Sequence, residues 1–101
     1  MTAMNAQELQ TMTVLSETRR LVSDRKIESD YPPDCPFFEP TVRMIVQIHQ
    51  KIGNLAGVEA SLDEFLTTMR RTSVQAAKMA DDTEPLAKFV LQALRNVVER
   101  Q

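Results

Sequence analysis

Cys35 and His49 are the only thiol and the only imidazole in this chain of 101 residues. Together they would form a Cys–His dyad for covalent catalysis. Such a dyad needs a third group to orient the imidazole and a turn that presents the sulphur, and no such motif surrounds either residue. A zinc site built from the usual sulphur and nitrogen ligands needs more of both than one chain holds. The carboxylates are spread thinly, and the adjacent pair Asp81 and Asp82 reads better as a helix cap and loop than as a metal cluster. The glycines, Gly53 and Gly57, fall in GNLAG, which is neither a phosphate loop nor a dinucleotide fingerprint. His49 is therefore expected at the edge of an apolar stripe with a satisfied nitrogen, and Cys35 as a small apolar residue. The sequence predicts no enzymatic activity, no cofactor and no metal.

Charge narrows the partners. Twelve Lys and Arg against fourteen Asp and Glu give a net charge of -2, with the two signs mixed along the chain. No basic face large enough to neutralise a run of phosphates is visible, which argues against direct nucleic-acid binding. The basic pairs Arg19–Arg20, Arg25–Lys26 and Arg70–Arg71 read as solvated helix faces, although Arg70–Arg71 would also suit a helix-turn-helix. The opening stretch MTAMNAQELQTMTVLSETRR lacks the charged head and apolar run of a signal peptide. No segment approaches the roughly 20 apolar residues that span a bilayer. A lone cysteine allows at most an intermolecular disulfide, and with the missing signal it points to the cytoplasm.

Positioning falls to helices. The length predicts one domain with a thin core, burying about two thirds of the surface exposed on unfolding. Asn5 with Glu8 three residues on forms a capping signal, and helix is predicted from 5 to about 26 on the stripe Leu9, Met12, Leu15 and Val22, widened by Val14 and Leu21. A second helix is predicted over about 41–56, opened by Pro40 in its first turn and carrying a seam of Ile45, Ile48, Ile52 and Leu55. Gly57 is read as its left-handed terminus, or the glycines as a close backbone approach. Ser61 and Glu64 in SLDE then read as a fresh capping box for a third helix over about 62–80, with Leu62, Phe65, Leu66, Met69 and Met79 inward. The seven-residue phase from 45 to 80 leaves a single long helix from 41 to 80 as the alternative. Thr83, Glu84 and Pro85 read as the start of a last helix over about 84–99. The fold class is all-α, a small bundle of about four helices.

Between the first two helices lies DYPPDCPFFEP, residues 30 to 40, with four of the five prolines, the only cysteine, and Tyr31, Phe37 and Phe38. Its prolines exclude helix there and lower the entropy cost of holding the segment in place. It is predicted to be a structured crossover, either clasping the protein's own helices or presenting Tyr31, Phe37 and Phe38 to a partner. Four amphipathic helices in so short a chain also predict a homodimer, with Ile45, Ile48 and Ile52 as its contact, unless the isoleucines form intramolecular core.

In its length, its leading helix before DYPPDCPFFEP, its mild acidity and its lack of catalytic residues, the whole chain resembles the small bacterial antiactivators of quorum sensing. That resemblance implies a cytoplasmic dimer that binds the ligand-binding domain of a LuxR-type transcription factor and stops it from dimerising on DNA. It implies neither cofactor nor catalysis. The alternative reading is a small cytoplasmic secretion chaperone or assembly cofactor that holds a partner segment in a helical groove.

Overall fold

A computed structural model describes residues 5–24 and 36–100. Tyr31, Cys35 and most of the proline segment lie outside the described residues. Those described form an all-helical bundle of four helices: α1 (Ala6–Asp24), α2 (Phe38–Ile52), α3 (Leu55–Thr72) and α4 (Val74–Glu99).

α1 begins where expected. The Asn5 side chain accepts a hydrogen bond from the Glu8 backbone N–H at 2.7 Å, which satisfies one of the unpaired donors of the first turn. Its buried face is rotated from the predicted stripe: Leu9 and Met12 are exposed, whereas Thr11, Val14, Leu15, Thr18 and Val22 are buried. Two threonines face inward because their hydroxyls donate to carbonyls one turn back, Thr11 to Gln7 at 2.9 Å and Thr18 to Val14 at 2.8 Å. No polar atom is then left unpaired, and the methyl groups pack.

Gly53, not Gly57, ends α2. It adopts φ 85°, and its N–H donates to the His49 carbonyl at 2.8 Å, a left-handed terminus that glycine takes without a Cβ penalty. Asn54 then caps α3 by accepting from the Gly57 N–H at 2.6 Å. Gly57 is closely approached too, but by side chains rather than by another backbone: a Cβ there would collide with the Ile52 side chain. Ser61 lies within α3 and caps nothing.

The predicted third helix over 62–80 and the alternative helix over 41–80 are both corrected at Ser73. Its backbone is extended (φ −164°, ψ 167°), and its Oγ accepts from the Ala76 N–H at 3.0 Å, so one residue ends α3 and starts α4. The predicted break at 81–83 is absent, and α4 runs on through Pro85.

Cross-links between helices set the directions. The Arg19 guanidinium lies 5.9 Å from the Phe38 ring centre, and Gln50 donates to Gln10 at 2.8 Å, so α1 and α2 are antiparallel. Asn96 bonds Glu17 at 2.8 Å while Leu21 shares a groove with Pro85 and Phe89, which makes α1 antiparallel to α4 as well. Arg70 pairs with Asp81 at 3.1 Å and Leu55 shares a groove with Leu91, which makes α3 and α4 an antiparallel hairpin. α2 and α4 run parallel and pack together as the central pair, with α1 and α3 on opposite flanks. The core between them holds Phe38, Val42, Ile45, Val46, Val58, Leu62, Leu66, Leu86, Val90, Leu94 and Val97, together with the buried apolar residues of α1.

Candidate protein-binding surface

Two adjacent aromatic residues have opposite fates at the start of α2. Phe38 is the first helical residue and is 1 % exposed, filling the core beneath Arg19; Phe37, the residue before it, is 68 % exposed. A helical step of about 100° turns neighbouring side chains to different faces. Phe38 thus offers no surface to a partner in this conformation, and its assignment as a partner-binding residue is corrected. Phe37 keeps that surface. Tyr31, the third ring, lies outside the described residues.

Phe37 stands over a shallow pocket of about 160 Å³ lined also by Thr41, Met79, Asp82, Thr83 and Leu86. Two helices build it. Thr41 follows Phe37 by one helical turn on α2, and Met79, Asp82, Thr83 and Leu86 recur at helical spacing along one face of α4. The lining is largely apolar, with Met79 itself 60 % exposed. Among the described residues Asp82 makes no ion pair, so a carboxylate free to receive a cation sits at the rim of an apolar pocket. Its neighbours Asp81 and Glu84 are both engaged by Arg70 across the α3–α4 turn. The Arg70 guanidinium, with Lys88 behind it, holds the Glu84 carboxyl below its ordinary value.

Sequence reasoning missed the α4 side of this pocket because residues 81–83 were read as a loop. The signal was present, since Met79, Asp82, Thr83 and Leu86 fall on one face if helix is carried through Pro85.

The isoleucine seam divides. Ile45 is 0 % exposed and belongs to the core of this chain, which corrects its assignment to a dimer contact. Ile48 is half-buried against that core, while Ile52 reaches the surface at the end of α2, 40 % exposed. His49, on the same helix, is half-buried. Contrary to the expected satisfied nitrogen, its Nδ1 is buried without a hydrogen-bond partner among the described residues.

The strongest electrostatic site is structural and lies elsewhere. Glu17 is buried and receives three donors, Arg20 (2.8 Å from each of its oxygens), Asn96 at 2.8 Å and Arg100 at 3.3 Å. The bidentate Arg20 bond holds its carboxyl down to about 2, outweighing the burial that pushes it up, with Asn96 and Arg100 assisting. Arg20 braces Glu17 within α1, while Asn96 and Arg100 fasten it to the end of α4. Among the described residues no three of His, Cys, Asp and Glu come together as a metal site, and no helix is long and apolar enough to cross a membrane.

Comparison of the chain with protein families, curated proteins and solved structures found no match.

Proposed function

We propose that this chain is a non-enzymatic regulatory binding protein that sequesters a LuxR-type quorum-sensing activator. It binds the activator's ligand-binding domain and blocks its dimerisation and hence its DNA binding. The observation that carries this reading is the exposed Phe37 over the apolar pocket shared by α2 and α4. An exposed ring beside a preformed apolar recess is the kind of anchor that concentrates affinity in protein interfaces. The free carboxylate of Asp82 favours an apolar side chain of the partner followed by a basic one.

The resemblance to quorum-sensing antiactivators, and among them most to the LasR antiactivator QslA, names the partner class. The chain acts in the cytoplasm as a homodimer. Ile52, with Ile48 beside it, is the part of the predicted dimer contact that still meets solvent.

Expression of the chain beside a quorum-controlled reporter tests this reading. Wild-type protein lowers the reporter signal, and Phe37→Ala, which removes an exposed side chain and leaves thermal stability nearly unchanged, restores most of it. Full repression by a folded Phe37→Ala variant would remove this pocket from the mechanism. No repression by the wild type, with recovery of a secretion substrate or apparatus subunit in its place, would favour the chaperone reading.

A further inference from the structure

α4 is one helix with two unequal halves. From Leu86 onward it buries Leu86, Ala87, Val90, Ala93, Leu94 and Val97. From Val74 to Glu84 it buries only Ala80, while Val74 is 88 % and Met79 60 % exposed. The boundary between the halves is Pro85, inside the helix. A proline has no N–H, so the Asp81 carbonyl one turn back loses its helical donor, and the ring crowds that same carbonyl. At the other end the half stops at Ser73, a single extended residue. Among the described residues the polar cross-links that hold it are the Arg70 pairs to Asp81 and Glu84, all three side chains partly solvated.

We propose that residues 74–84 form a hinged flap that undocks from the bundle about Pro85 while the second half of α4 stays packed. A segment with one buried methyl group, a missing hydrogen bond at its root and solvated ion pairs has a far lower opening free energy than the core. The flap supplies Met79, Asp82 and Thr83, half of the residues lining the pocket beside Phe37, whereas Leu86 and Thr41 lie on the fixed side. Undocking therefore widens that pocket. The hinge stands whatever the pocket binds.

Native-state hydrogen exchange on the full chain tests the flap. Corrected for intrinsic rates, amides 76–84 are expected to exchange at least about tenfold faster than amides 87–97. Arg70→Ala is expected to speed exchange of 76–84 by about twofold. Pro85→Ala restores the N–H at that position and should slow 76–84 by about tenfold. Equal protection in the two halves, or no slowing of 76–84 in Pro85→Ala, would overturn the hinge.

Discussion

α1 and α3 flank the same central pair of helices and are held there by different means. Three of the four buried polar residues among those described are on α1, namely Thr11, Glu17 and Thr18. Each is satisfied, the threonines by carbonyls of their own helix and Glu17 by Arg20, Asn96 and Arg100. Further along, Arg43 of α2 grips Glu8 of α1 with two bonds of 2.8 Å, and Gln50 grips Gln10. Among the described residues α3 has nothing comparable. Its buried residues, Val58, Leu62 and Leu66, are all apolar, and its polar links to α4 are the surface pairs of Arg70. The lesson is that two helices with three buried apolar residues each dock by different means: α1 adds paired buried polar groups, whereas the apolar ridge suffices for α3, whose hairpin turn already fixes its place.

Deleting the ridge gives the largest effect. Leu62→Ala is expected to destabilise the domain by about 2–5 kcal/mol in chemical denaturation, through lost transfer energy and the cavity left behind. A loss below about 1 kcal/mol would show that α3 is held by something other than its ridge. On the other flank, Glu17→Ala is expected to lose about 1–3 kcal/mol, because the partly buried amide of Asn96 loses its acceptor and Arg20 and Arg100 lose their shared carboxylate.

The same residue sets a pH dependence. Its folded carboxyl sits at about 2, below the ordinary value of 4.5, so its stabilisation is complete above pH 4.5 and is lost as pH falls toward 2. With Arg20 and Arg100 more than half exposed, solvent screening reduces the amount to about 1–2 kcal/mol. Urea midpoints of wild type and Glu17→Gln should therefore converge over that range, and parallel curves would contradict the assignment. The smallest effect belongs to α3's surface link: Arg70→Ala should shift the urea midpoint only slightly, and not at all in high salt.

The fold was largely legible in the sequence where chemistry is local. The Asn5 cap, Pro40 in a first turn and a glycine terminus for α2 each follow from the backbone needs of one residue, although which glycine served was not. What failed depended on tertiary context. Ser73 was hidden because the seven-residue phase runs through it, although Arg70 and Arg71 just before it are the basic residues a helix end favours. Pro85 read as a helix start because nothing local shows that packing of Leu86 and Val90 carries the helix past a proline. The inward threonines of α1 were missed because a polar side chain satisfied by its own helix leaves no apolar signature. Within the site, sequence reading found Phe37 but could not separate it from Phe38, whose burial depends on the exact register at which α2 begins.

The central claim is sequestration of an activator by occupying the surface it needs to dimerise. Light scattering on the purified chain mixed with the ligand-binding domain of a LuxR-type activator tests it most directly. Sequestration predicts a complex too small to contain the activator's own dimer. A complex that retains the activator's own dimer, or no complex at concentrations where the activator dimerises, would contradict it.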